Sequence, residues 1–282
     1  MSKEEQTLHE LKCSELTAIL SGEKRDDPKY SHYYSKSFKY STNAVVIKQV
    51  IINEDIVFPV DFGTDVEDIF IISGDFKGEF NINAREFAPS LRIEGGTFFK
   101  LFSLEGCTFK RSIVVDGATF LNDLVVFDGV FDRFEIEKGV FEDHFRILGG
   151  TFKNNFSIKD GIFTKKFIVE GGEFVDTFSI HSGNFSGGFE IENGTFKKNV
   201  WIEGGRFEKM FSLSGGVFDR VFMLSSNELY IENLEFSFKQ NPVKLVKLSN
   251  KEDKFTIISL AFTDTILAKD AFVQLENRPA GK

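Results

Sequence analysis

The chain has 282 residues and a formal net charge of −9 at pH 7, with 35 Phe and 24 Gly against only 5 Pro and 2 Cys. That much apolar material excludes a disordered chain, two cysteines exclude a disulfide framework, and no apolar run reaches the ~18 residues of a membrane-spanning helix. The opening MSKEEQTLHELK is too charged for a secretory signal, so a soluble cytoplasmic protein is expected.

In chain order, residues 3–21 read as an amphipathic helix, with Leu8, Leu11, Leu16, Ile19 and Leu20 near one face and Ser21-Gly22 as its stop. Residues 22–43 differ in kind. They hold four of the five Tyr, at 30, 33, 34 and 40, interleaved with Lys29, Lys36 and Lys39. Two readings stand side by side: the tyrosines pack on the flank of the fold as a clamp, or Tyr30, Tyr33, Tyr34, Lys36, Lys39 and Tyr40 contact a partner. Glu23, Asp26 and Asp27 dilute the positive charge, so such a partner would be a protein rather than a nucleic acid. Residues 44–72 then turn apolar and β-branched, as suits the first coils of a β structure.

From Phe76 onward the chain repeats. Phe76, Phe87, Phe98, Phe109, Phe120 and Phe131 are eleven apart; Phe141 follows after ten; Phe152, Phe163, Phe174, Phe185, Phe196, Phe207 and Phe218 resume the step of eleven. Four residues after most of them comes a second apolar position, usually Phe (80, 102, 145, 156, 167, 178, 189, 211, 222, with Phe134 in the shortened repeat), and two further on an aliphatic such as Ile147, Ile158 or Val169. The consensus is G-x-F-x-x-x-F-x-I, in fourteen copies. A right-handed helical supercoil also has an eleven-residue period, but one or two Gly per repeat at ~1 kcal/mol each would dissolve its helices. The F-x-I segment alternates with period two, and Gly two before the first Phe suits a tight bend. Each repeat is therefore strand, turn, strand, turn. Strands this short are stable only when stacked on the next coil, which gives an all-β, parallel β-solenoid whose identical residues form ladders at ~4.8 Å. Two repeats per coil, making four sides, are preferred to three, making a triangle, because each repeat supplies two sides.

A quadrilateral coil with apolar residues inward resembles the pentapeptide-repeat proteins and, more loosely, the bactofilin-type β-solenoids, over about residues 74–224. The resemblance lies in the inward ladders. Pentapeptide proteins repeat every five residues, this chain every eleven. It implies a rod with inward ladders, whose ends stack if it is of the bactofilin-like kind; some pentapeptide-repeat proteins mimic DNA with an acidic rod, a role that shape alone does not carry over.

After Leu224 the period disappears, although ELYIENLEF, VKLVKL, KFTIISLAF and DAFVQL remain strand-like. The expected organisation is a cap over 1–43, the solenoid over 44–224 and an irregular β cap over 225–282.

Candidate chemistry is sparse. His9, His32, His144 and His181 lack metal spacing, and Cys13 and Cys107 lack CxxC, so neither metal nor cofactor is expected. Glycine pairs recur with the repeat and no GxxxxGK[ST] follows, which makes them turns and not a phosphate loop. Acidic pairs such as Glu142/Asp143 and Glu190/Glu192 fall on outward slots as solvated charge. An ice-binding face needs a Thr ladder, but the middle of F-x-I varies through Ser157, Ile168, Ser179 and Glu190. A polysaccharide lyase would need basic and acidic residues clustered on one face. The rod, residues 74–224, carries 18 basic and 22 acidic residues, too mixed for the dense negative charge of a DNA mimic. The leading expectation is a non-enzymatic rigid scaffold that binds protein partners through its outward faces and end caps. The alternatives are a self-assembling homo-oligomer or filament and an acidic DNA mimic.

Overall fold

The computed structural model describes residues 8–36, 38–39, 41–58, 66–83, 86–220, 222–237, 243–250, 256–263 and 267–277. The fold is an all-β parallel β-solenoid of about 8 turns with roughly 22 residues per turn. One coil shows the design: Gly161–Phe163, Phe167–Glu170, Glu173–Phe174 and Phe178–Ile180 make its four walls in order. Every wall pairs in parallel with the same wall of the next coil, Phe163 with Phe185, Phe167 with Phe189, Phe174 with Phe196 and Phe178 with Val200. Each partner lies two repeats further along the chain, so two repeats make one coil. The triangular coil of three repeats is excluded.

Because two repeats fill one coil, the two Phe slots give four columns of rings, not two. Alternate first-slot rings lie on opposite walls. Within a column the rings stack at the coil spacing: Phe141 on Phe163 at 4.7 Å and 3°, Phe163 on Phe185 at 4.6 Å and 5°, Phe174 on Phe196 at 4.8 Å and 3°. Within a coil the two slots meet edge to face, as with Phe163 and Phe167 at 84° and Phe174 and Phe178 at 89°. Both arrangements satisfy the aromatic quadrupole and add ~0.5–1.5 kcal/mol per pair to the burial itself.

The first-slot ring folds back over the glycine two residues before it. A Cβ on Gly161 would lie 2.7 Å from Phe163 Cε2. Gly172 has the further constraint of a left-handed backbone, with φ +84° and the Gly149 carbonyl 2.9 Å from any Cβ. Where Cys107 replaces this glycine, it is buried and its thiol donates to the Ile82 carbonyl at 2.8 Å.

Three departures from the regular coil matter. The ten-residue repeat shortens the register by one, pairing Phe120 with Phe141 and Leu124 with Phe145. Coils at the N-terminal end are wider, with Val50 opposite Gly74. Residues 225–282, expected as a cap, continue the parallel pairing where they are described, at uneven registers such as Phe222 to Val246 and Ile231 to Ile257.

The N-terminal end is covered. Strand β1 is His9–Glu10, helix α1 is Cys13–Leu20, strand β2 is Tyr34–Ser35, and the first coil consists of β3 (Ala44–Ile47), β4 (Val50–Ile52) and β5 (Ile56–Val57). β1 pairs in parallel with β4, β2 pairs antiparallel with β3, and α1 packs next to β5. The helix expected over 3–21 is thus confined, among the described residues, to Cys13–Leu20. Residues 9–10 complete a ladder instead. The helix begins at Lys12, whose N–H donates to Glu15 Oε2 at 3.1 Å, while the Cys13 N–H donates to Glu54 Oε2 at 2.8 Å. Leu16, Ile19 and Leu20 are buried against the coil. No helix among the described residues is long and apolar enough to cross a membrane.

Candidate functional site

The Tyr/Lys segment runs from the end of α1 across the mouth of the first coil and onto its fourth wall. Tyr30 and Tyr33 are 5% and 2% exposed and belong to the hydrophobic core. Tyr34 is half-buried, and its hydroxyl donates to the Ile19 carbonyl at 2.9 Å. These three rings close the end of the rod. Lys36 is exposed. Tyr40 lies outside the described residues. Lys39 pairs with Glu94, and beside it Phe38 meets Phe70 edge-on at 4.9 Å. Phe70 points outward from the fourth wall, so Phe38 serves as a cover for outward Val46 and Phe70, both buried. Of the six residues singled out in the sequence, Tyr30, Tyr33 and Tyr34 come together as packing, while Lys36 and Lys39 sit apart from them on the strap.

A cleft of about 430 Å³ opens between β1, α1 and this segment, with His9, Glu10, Leu11 and His32 on its rim. Its wall is a closed network. The Tyr30 hydroxyl donates to Glu15 Oε1 at 2.5 Å, and Lys29 Nζ donates to the same oxygen at 2.8 Å and to Tyr30 Oη at 2.7 Å. The Lys29 and Tyr30 hydrogen bonds, with the Lys12 N–H, hold the Glu15 carboxyl down to about 2 from the ordinary 4.5. The Glu15 carboxylate pushes the Lys29 ammonium up. Burial pushes the Tyr33 phenol up. A carboxylate this acidic and this well donated to is no base near neutrality. The network staples the strap to the helix.

The histidines do not converge. His144 is half-buried at the corner between the first and second walls, where its backbone N–H donates to Asp123 Oδ1 and Asp143 Oδ1 at 3.2 and 3.0 Å. His181 lies at the corner between the fourth and first walls, 3.4 Å from Glu203. Of the acidic pairs, Glu142 accepts from Thr164 and Glu190 from Lys166. Among the described residues no group of three or more His, Cys, Asp or Glu is placed to hold a metal ion.

What sequence reasoning missed is the outer surface. Once two repeats close a coil, the residue before each first-slot Phe and the residue after it form two outward rows on a wall. On the first wall those rows place Phe99 and Leu121 at successive levels, with Val140 and Ile162 on the next two. Phe99, Leu121 and Ile162 are 39%, 40% and 45% exposed. Writing alternate repeats under one another would have brought them together.

No family model, curated protein or solved structure matches the chain.

Proposed function

We propose that the protein is a non-enzymatic rigid rod that binds protein partners through its outward walls and ends. One observation carries this reading: apolar side chains that the core does not use stand outward on the first wall in two staggered pairs, Phe99 with Leu121 on one row and Val140 with Ile162 on the other, and Phe99, Leu121 and Ile162 are exposed. Clustered apolar surface of this kind marks protein contact sites, and a rigid wall holds it at no ordering cost. Kinship with pentapeptide-repeat or bactofilin-type solenoids, on this view, lies in coil architecture alone. A filament formed by stacking rod ends is the lesser reading, since a partner at the N-terminal end would have to displace β1, β2 and α1. An acidic DNA mimic needs a continuous negative wall and is favoured least.

The test is affinity capture from the native host with the wild type and with Phe99→Ser/Leu121→Ser, followed by calorimetry with the purified partner. The double variant should bind at least about 10-fold more weakly while melting as the wild type does. Equal affinity, or a metal bound in stoichiometric amount, contradicts the reading.

A further inference from the structure

The third wall has Glu86, Thr108, Val130, Thr151, Glu173, Thr195 and Val217 along its middle; Glu86 and Glu173 pair with Lys110 and Lys197, and the remaining charges sort by border. On the border with the second wall stand Glu105, Asp128, Glu170 and Glu192, all exposed and without an ion-pair partner among the described residues. On the border with the fourth wall stand Arg111, Lys153, Lys198 and Arg220, also exposed and without a partner among the described residues. The acidic side chains on that basic border are engaged locally: Asp132 accepts from Asn154, Asp176 from the Thr177 N–H, and Asp219 lies 4.0 Å from Lys197. On the middle row Val217 is 36% exposed, Val175 stands 38% exposed in the column of Lys153, and Phe127 stands 44% exposed beside Asp128. The two sets of charges cannot neutralise each other within one chain, because the middle row separates them.

We infer that this wall pairs with the same wall of a second copy, the two rods lying side by side and parallel. The inference rests on the outward walls being the working surface. Symmetry decides the arrangement. A two-fold axis parallel to the rod carries each acidic border onto the partner's basic border, on both sides at once, with Glu105 near Arg111 and Glu192 near Lys198 of the other copy. A two-fold axis across the rod brings acidic border to acidic border and is repelled. The wall runs seven levels at ~4.8 Å and is about 15 Å wide, or roughly 500 Å² per copy. That is the low end for a specific interface and predicts a reversible dimer, with a Kd on the order of 10–100 µM.

Sedimentation equilibrium of the full chain tests this. The wild type should dimerise in that range and dissociate as salt rises from about 50 mM to about 500 mM. Reversing the acidic border (Glu105→Lys/Glu192→Lys) or the basic one (Arg111→Glu/Lys198→Glu) should weaken self-association at least about 10-fold. Mixing the two variants should restore a heterodimer, which also shows that both fold. In a Cys13→Ser background, Thr108→Cys and Thr195→Cys should each cross-link to itself, because a parallel pair opposes like levels at both ends. A wild type that stays monomeric throughout, a dimer indifferent to reversal, a mixture that fails to pair, or cross-linking at a single level overturns the proposal. Each of these leaves partner capture by the first wall separately testable.

Discussion

The coils from Phe152 to Phe196 and the level around Phe145 are built from the same repeat, yet their rings are arranged differently. In the first region Phe152 lies on Phe174 at 3°, Phe156 on Phe178 at 9°, and each repeat's two rings meet at 83–89°. At Phe145 the pattern turns over: its ring is 15° from Phe141 in its own coil and 88° from Phe167 in the next. Two local causes coincide there. Leu124, not a Phe, is the residue that Phe145 pairs with below, and the ten-residue repeat draws Phe134 within 6.4 Å of it from the opposite side. An aliphatic residue beneath is not enough by itself, since Phe80 on Ile56, Phe134 on Ile113 and Phe222 on Val200 keep the edge-to-face contact within their repeat at 86°, 81° and 84°. The ring turns only where the shortened repeat also sets Phe134 beside it.

The largest effect in the regular region comes from removing a ring inside it. Phe178→Ala should cost about 3–5 kcal/mol in denaturant unfolding, since the cavity lies between two fixed coils. A loss below ~1 kcal/mol would mean that the column is not the core. Gly172→Ala comes next, at about 1–3 kcal/mol, because the new Cβ is forced into a left-handed backbone against the Gly149 carbonyl. Repairing the irregular level should have the opposite sign: Leu124→Phe removes one of the two coinciding causes by placing a ring beneath Phe145, turns Phe145 edge-on to Phe141, and stabilises by roughly 0.5–1.5 kcal/mol. An unchanged Phe145 ring in the variant structure contradicts a joint cause and leaves Phe134 alone responsible.

The smallest effect concerns the capped end. Glu15 is held down to about 2 from 4.5, so its contribution is complete above the ordinary carboxylate range and is lost as pH falls from there through about 2. Hydrogen-exchange protection factors over residues 9–20, which remove the intrinsic pH dependence of amide exchange, should fall across that window in the wild type. In Glu15→Gln they should be low at every pH, with global unfolding barely moved because Lys29 is largely exposed.

The repeat made most of this legible in advance. Phe at two slots, an aliphatic two further on and Gly before the first Phe were enough for strands, walls and coil length. Ring orientation was not legible, because the neighbour of Phe145 is set by Leu124 almost two repeats earlier, a relation that exists only once the coil is closed. The N-terminal helix is shorter than its pattern for a similar reason. Leu8 and Leu11 fit a helical face, but pairing of His9 and Glu10 with β4 satisfies backbone groups that a longer helix would leave open. The clamp reading of the tyrosines was available in the sequence, whereas the cover that Phe38 provides for Phe70 was not, since an outward Phe is indistinguishable from an inward one until the wall is known.

The central claim is that phenylalanines two repeats apart share a column. Nuclear Overhauser contacts between selectively labelled rings measure it directly. Phe163 should show a strong contact to Phe185 and none to Phe196. A contact from Phe163 to Phe196, three repeats on, would replace the four-walled coil with a triangular one and contradict the account.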